Sequence, residues 1–431
     1  MPYVFLIALS VLLIGYAFLG RSFAYLGLAP IYVGEIVFIL GLATLLVNRE
    51  WLHLRRLNVV KWLVLFMLWG ALRTIPFISR YGTNALRDGA SWGYGLFAIF
   101  IGYSVAKEFA YAGMMNFYRK WIKYFVIWVP VTILLPLIAA DELPTLPWGP
   151  NGSIPFFSLK GGDIAVHLSG ILAFMILIAP FESRKLREEA IMACWFISFL
   201  LVGFIGRAAL LTMSTVSVFL VLSSSPKRWF KWFAMVCIVV SLSILLNLKI
   251  NTGSEREISF EQLAMNVQSV FGTAENYSGE GSKEWRLLWW SRIIEYTIFG
   301  EYFWTGKGYG INLADDDGFQ VLDDSALRSP HNGHLTFLAR GGVPGFVLWT
   351  SLQASFFISL FKAFRRWRKG GFVAESQLCL WVLAYWLAFM VNGAFDVFLE
   401  GPQGGIWFWS LFGFGISLIY AERQIVASQV G

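Results

Sequence analysis

A few residues in this sequence are poorly explained by packing alone. His331 stands in the run Arg328-Ser329-Pro330-His331-Asn332-Gly333-His334-Leu335. Ser329 is a good N-cap and Pro330 suits a first helical position, so the spacing predicts a helix that carries His331 in its first turn. At the positive end of a helix dipole an uncharged imidazole is favoured, and an uncharged imidazole can serve as a general base. A histidine that merely sits at an interface satisfies the same pattern. His334, one turn on, opens the alternative of a metal pair, although no glutamate or third ligand stands at a zinc-motif spacing.

Two arginines invite a second kind of chemistry. Arg207 is flanked by apolar runs (Gly203 to Gly206, then Ala208 to Leu211), a costly place for a guanidinium unless it faces a polar cavity or a partner. Glu35, Asp163 and Asp396 are conceivable partners. Arg286 lies in Lys283 to Tyr296, where Trp285, Leu288, Trp289 and Ile293 recur at three- and four-residue steps. That period predicts a helix lying on a membrane surface, with Arg286 either snorkelling or gripping a phosphate through its planar fork. Gly306-Lys307-Gly308-Tyr309-Gly310 lacks the Lys-Ser/Thr of a phosphate-binding loop and reads as a turn. Asp315, Asp316, Asp317, Asp323 and Asp324 lack calcium-loop spacing and read as a solvated loop rather than a cation site.

The elements that must position these residues are membrane helices. Hydrophobic residues make up 57% of the 431 and charged residues only 14%, with a mean hydropathy of +0.62. A water-soluble core does not need that much apolar surface, and it is spread from end to end, so a soluble enzyme on a single anchor is excluded. The net charge of +7 follows from basic loops beside a membrane rather than from nucleic-acid binding. Cys194, Cys237 and Cys379 lie in apolar stretches without a close-spaced pair, which suggests neither a disulfide nor a cysteine metal site. The N-terminus lacks a charged start and a small-residue cleavage site and reads as the first membrane helix.

About 20 residues cross the hydrocarbon as a helix. The expected spans are 3–19, 31–47, 60–78, 91–106, 121–140, 164–181, 190–205, 207–223, 230–248, 334–361, 377–396 and 404–421. The stretch from Ala190 to Ser223 is too long for one crossing. Basic trios flank it on both sides (Arg184, Lys185 and Arg187; Lys227, Arg228 and Lys231), so it should cross twice and turn at Gly203-Phe204-Ile205-Gly206. The remaining Lys/Arg clusters, such as Arg49, Arg55, Arg56 and Lys61 or Lys362 to Lys369, fall on one side of an alternating topology. Few basic residues fall on the other: Arg21, Arg73, Arg80, Arg87, Lys160 and Arg207. The positive-inside rule then puts both termini in the cytoplasm.

The expectation is an all-α polytopic bundle of about twelve crossings in three parts. Residues 1–248 hold nine spans and an outer loop rich in Pro and Gly at 141–163. Residues 249–332 form a large outer loop, and 333–431 hold three spans and a short cytoplasmic tail. Polar candidates gather at the outer boundary. A transporter or flippase of lipid-linked saccharide should instead carry charges near the midplane of several helices, and a membrane O-acyltransferase should converge its polar residues across the bilayer centre.

Together these residues resemble the O-antigen ligase and polymerase superfamily of bacterial envelope glycosyltransferases. The resemblance rests on Gly206-Arg207-Ala208 opening a membrane helix and on Trp285-Arg286 followed by the Gly306 to Gly310 turn. Its third part is His331-Asn332 with Leu335 and the downstream Gly342-Val343-Pro344-Gly345. The family's organisation covers nearly the whole chain. It implies a GT-C-like fold and an inverting, metal-independent transfer without a cofactor. A glycan would move from undecaprenyl pyrophosphate to an acceptor sugar hydroxyl on the periplasmic side of the inner membrane. The acceptor would be lipid A-core for a ligase and a lipid-linked glycan for a polymerase. On this resemblance His331 matches the base, and Arg207 and Arg286 match the arginines on the pyrophosphate. Asn332, Arg328, Arg340 and His334 would support them.

Overall fold

The computed structural model describes residues 1–28, 31–139, 142–148, 153–178, 185–224, 234, 238, 241, 250–251, 257–259, 261, 264–266, 268, 280–321 and 326–430. Nearly all of the ninth expected span (230–248) lies outside the described residues, as do Cys237, Arg184, Lys227, Arg228, Lys231, Asp323 and Asp324. The protein is an all-α polytopic membrane bundle. Its longer helices are α1 (Pro2–Leu19), α2 (Val33–Val47), α3 (Asn58–Tyr81), α4 (Thr83–Gly93), α5 (Gly95–Glu108) and α6 (Tyr111–Ile138). They continue with α7 (Gly161–Leu177), α8 (Lys185–Ile205), α9 (Arg207–Ser223), α10 (Glu280–Ile298), the short α11 (Leu313–Asp317), α12 (Gly333–Lys369), α13 (Val373–Gly393) and α14 (Pro402–Val430). Strand structure among the described residues is confined to three two-residue antiparallel ribbons.

Five of these helices (α1, α3, α12, α13 and residues 402–425 of α14) are long and apolar enough to cross a membrane alone. Shorter apolar helices include α2, α7, α9 and residues 189–204 of α8. The physical signature of the bilayer is on α3, where Leu65, Leu68, Leu72, Ile75 and Ile78 recur at three- and four-residue steps yet face outward. A continuous apolar stripe left exposed on a helix of this length and hydropathy suits a lipid solvent. The middle of the bundle is α13 and α14. Gly413 of α14 lies so close to α5 that a Cβ there would stand 2.7 Å from the Ala98 carbonyl oxygen, the small-residue contact by which membrane helices approach. The turn expected between the seventh and eighth spans is observed: α8 ends at Ile205, Gly206 is the N-cap, and α9 starts at Arg207.

The tenth span departs from expectation. α12 begins at Gly333 rather than near Ser329, and it breaks at Gly342, whose φ of 68° and ψ of −172° are not helical. Pro344 supplies no N–H there, and the carbonyls that the break leaves without helical partners are taken up by other segments. Ala339 O accepts from Lys307 N (2.8 Å), Arg340 O from Gly308 N (3.0 Å), and Gly341 O from Trp69 Nε1 (2.9 Å). The turn expected at Gly306 to Gly310 thus plugs a discontinuous helix. Gly306, at φ 59°, could not carry a side chain, because a Cβ would stand 2.4 Å from the Arg340 carbonyl carbon.

α10 is helical as its period predicts, but its aromatic face is not on the membrane. Trp289 and Ile293 are fully buried against Leu313 and Ala314 of α11 and Leu338 and Ala339 of α12, while Leu287 and Leu288 stay exposed. The same three- and four-residue spacing that suits a lipid surface suits a protein layer. Here α11 and the first part of α12 supply that layer.

Candidate active site

α7, α12 and α14 begin at the end of the bundle where α13 finishes. Gly162 packs on Asn392, and His334 Nε2 donates to Met390 O at 2.9 Å. The short connection after α13, residues 394–401, is the point on which the site is assembled.

His331 reaches it by backbone constraint. Trp290 Nε1 donates to Pro330 O (2.8 Å) on one side. On the other, Asn332 caps α12, its Oδ1 accepting from His334 N and Leu335 N at 3.1 Å each. Between these fixed points His331 has φ 52°, a left-handed conformation that a residue with a Cβ adopts only when its neighbours enforce it. Ser329 and Pro330 are therefore not the N-cap and first helical residue, and His331 precedes the helix instead of lying in its first turn. The dipole argument loses its geometric basis, and a carboxylate takes its place. His331 Nδ1 stands 3.7 Å from Asp396 Oδ1, with the His331 side chain 29% exposed and its ring against Trp285 (centroids 6.3 Å apart).

Asp396 Oδ1 also accepts from Val397 N (2.7 Å) and from Lys160 Nζ (3.2 Å). Burial works to raise the Asp396 carboxyl, but His331, Lys160 and the Val397 N–H together hold it well below the usual carboxylate range. The adjacent Phe395 O accepts from Arg286 Nη1 at 3.3 Å. Arg286 and His331, far apart in sequence, thus meet on two consecutive residues. Arg207 comes by a different route. α8 packs along α7, with Trp195 Nε1 donating to Leu168 O (2.9 Å), and Arg207 is the first residue of α9, directly after the helix break at Gly206. α9 then packs against both α7 and α13, the helices that carry Lys160 and Asp396 at their ends.

Residues 192–350 match the O-antigen ligase family. The matched segment is a little over a third of the chain and contains all three motifs on which the resemblance rests. The match supports the resemblance to the O-antigen ligase and polymerase superfamily, and with it an enzyme of that type in envelope polysaccharide synthesis. None of the curated proteins matches the chain.

Several residues of the O-antigen ligase segment turn out to hold the site rather than line it. Both ring nitrogens of His334 are engaged, Nε2 with Met390 O and Nδ1 with Trp349 Nε1 (3.0 Å), so it bolts α12 to α13 and has no lone pair left for a metal. Arg328 Nη2 donates to Asp88 Oδ2 and to Gly310 O, each at 2.9 Å. Arg340, only 1% exposed, pairs with the same Asp88 oxygen at 3.1 Å and donates to Gly308 O and Ile311 O. Gly310 N is a further donor to Asp88, at 3.0 Å. The two second-rank arginines therefore clamp the glycine turn onto α4. The acidic run is solvated at Asp315 and Asp316, which are exposed, but not at Asp317. Asp317 is buried, accepts from Trp289 Nε1 (2.7 Å), and with Asp316 pairs with Lys307, whose ammonium lies 4.3 Å from the Tyr296 ring centroid. Desolvation pushes the Lys307 ammonium down, but its bonds to Asp316 and Asp317 outweigh that and raise it.

Asp88 and Lys160 are the functional neighbours that reading the sequence missed; Asp396 had been considered only as a partner for Arg207. None of the three lies in the O-antigen ligase segment, and each is recognised only once the helices are packed. Asp88 left one signal, a lone acid on a short amphipathic helix with unpaired arginines elsewhere in the chain.

Proposed function

We propose that the protein is an inverting, metal-independent glycosyltransferase that moves a glycan from undecaprenyl pyrophosphate to an acceptor sugar hydroxyl. The end of the bundle bearing residues 394–401 faces the periplasm, both termini lie in the cytoplasm, and the inner membrane holds the spans. In this reading residues 1–248 and 333–431 are the membrane parts, and 249–332 is the periplasmic part that brings Arg286. One observation carries it: Arg286, from the large loop, and His331, from the start of α12, converge on Phe395 and Asp396.

Asp396 takes the role of orienter. With Nδ1 turned to its carboxylate, His331 presents Nε2 to the acceptor hydroxyl and removes its proton as the oxygen attacks the anomeric carbon. The bond from that carbon to the pyrophosphate oxygen breaks in the same step, and the electron pair leaves on the phosphate. Arg207 and Arg286 face the growing negative charge, so they stabilise the transition state more than the ground state. Asn332 contributes by fixing where the helix starts, and Arg328, Arg340 and His334 contribute by fixing the surrounding frame. A flippase reading finds less support, because the charged groups gather at one end of the bundle rather than at its midplane.

The test is reconstitution of the full chain in proteoliposomes with an undecaprenyl-pyrophosphate-linked glycan and each acceptor separately. A glycan joined to lipid A-core makes the protein a ligase, and a ladder of repeats makes it a polymerase. No product with either acceptor, from correctly inserted protein, would contradict the reading.

A further inference from the structure

One carboxylate oxygen at the site is asked to serve two nitrogen-bearing side chains. Asp396 Oδ1 accepts from Val397 N at 2.7 Å and from Lys160 Nζ at 3.2 Å, while His331 Nδ1 waits at 3.7 Å, beyond hydrogen-bond reach. The two are built differently. His331 is fixed by the Trp290 bond before it and the Asn332 cap after it. Lys160 is the residue before α7, and its side chain is 36% exposed, so a flexible four-carbon stem holds an ammonium at the open edge of the site. Around it stand Arg286 on Phe395 O, the buried Asp163 on the first turn of α7, and Arg21, whose charge reaches Asp163.

We infer that Lys160 is a donor-sensing positioning residue. Before the donor binds, it occupies Asp396. When the diphosphate of the lipid-linked donor arrives, it passes to the diphosphate and leaves Asp396 to His331. This rests on the transfer reading above. A diphosphate carries at least two negative charges against the single charge of Asp396, and Arg286 holds it within reach of the ammonium, so the exchange is electrostatically favoured. His331 then has to close roughly 1 Å to make a hydrogen bond to Oδ1. The consequence is a base that is oriented only when a leaving group is in place. Lys160 itself becomes a third cation on that leaving group.

The exchange can be seen without turnover. The chain has four histidines, so ¹⁵N-histidine spectra of the full protein in nanodiscs give few imidazole signals, and His331→Gln assigns the one of interest. Farnesyl diphosphate is the probe. In the wild type its addition is expected to bring His331 Nδ1–H into a hydrogen bond. In Lys160→Met that signature should be present beforehand, and in Asp396→Asn it should be absent throughout. A Lys160→Met spectrum like that of the unliganded wild type would overturn the inference, as would a wild type unresponsive to saturating farnesyl diphosphate.

Kinetics supply the second arm. Lys160→Met should raise the KM for the donor about tenfold or more while the acceptor KM stays within about threefold, and Lys160→Arg should restore most of the loss. An unchanged donor KM would also overturn it. If the wild type transfers glycan to neither acceptor, the transfer reading falls, while the His331 spectra still decide whether Lys160 gates the imidazole.

Discussion

Replacing His331 by alanine is expected to cut the rate of glycan transfer about 10²–10⁴-fold, the usual worth of a positioned general base. The loss should fall on kcat, with the donor KM little changed, because the diphosphate contacts proposed for Arg207 and Arg286 are left in place. Folding should survive. The ring is partly exposed, and the cap that starts α12 belongs to Asn332 and not to His331. Relief of the left-handed φ of 52° by the smaller side chain gains little, since alanine also has a Cβ. The measurement is initial rates in proteoliposomes alongside the thermal transition of the same preparation. A variant that inserts, melts like the wild type and transfers at an undiminished rate would remove His331 from the chemistry.

The second large effect is on stability. Asp88→Ala should destabilise the protein by about 3–5 kcal/mol, the cost of leaving buried cations without their anion. Asp88 Oδ2 accepts from Arg328, from Arg340 and from Gly310 N, and Arg340 is almost fully removed from solvent. Without the carboxylate, the clamp that seats Gly306 to Gly310 in the α12 break opens, and the frame around His331 loosens with it. Reversible unfolding in mixed micelles would give the difference. The double variant Asp88→Ala with Arg340→Met should recover part of the loss, because the orphaned charge goes with its partner. Equal stability of Asp88→Ala and wild type would contradict the clamp.

Much of this architecture was legible because hydropathy and helical period are local properties. The turn at Gly203 to Gly206 could be placed because the flanking basic trios forbid a single crossing. His331, Arg286 and Arg207 could be picked out as residues too costly or too specifically placed for packing. What was not legible is whatever depends on where helices meet. Ser329 and Asn332 are both good caps less than one turn apart, and only the bonds from His334 N and Leu335 N decide between them. Trp285, Trp289 and Ile293 give the same pattern for lipid as for protein. Asp317 looks solvated like its neighbours until Lys307 folds back over Tyr296 and pairs with it. Arg340-Gly341-Gly342-Val343-Pro344-Gly345 contained the helix break, but a proline after glycines inside an apolar run is equally compatible with a kinked continuous span. Asp396 and Lys160 carry no motif at all. They matter because the ends of α7 and α13 meet beside the start of α12.

The account makes transfer a single displacement: one hydroxyl, freed of its proton by His331, attacks one anomeric carbon as the pyrophosphate departs. The configuration of the transferred residue can be read by NMR from the anomeric coupling in the lipid-linked donor and again in the purified product. Inversion at that carbon is the expected result. Retention would require two displacements through a covalent glycosyl-protein, a route in which His331 is not the base on the acceptor hydroxyl, and it would contradict the assignment.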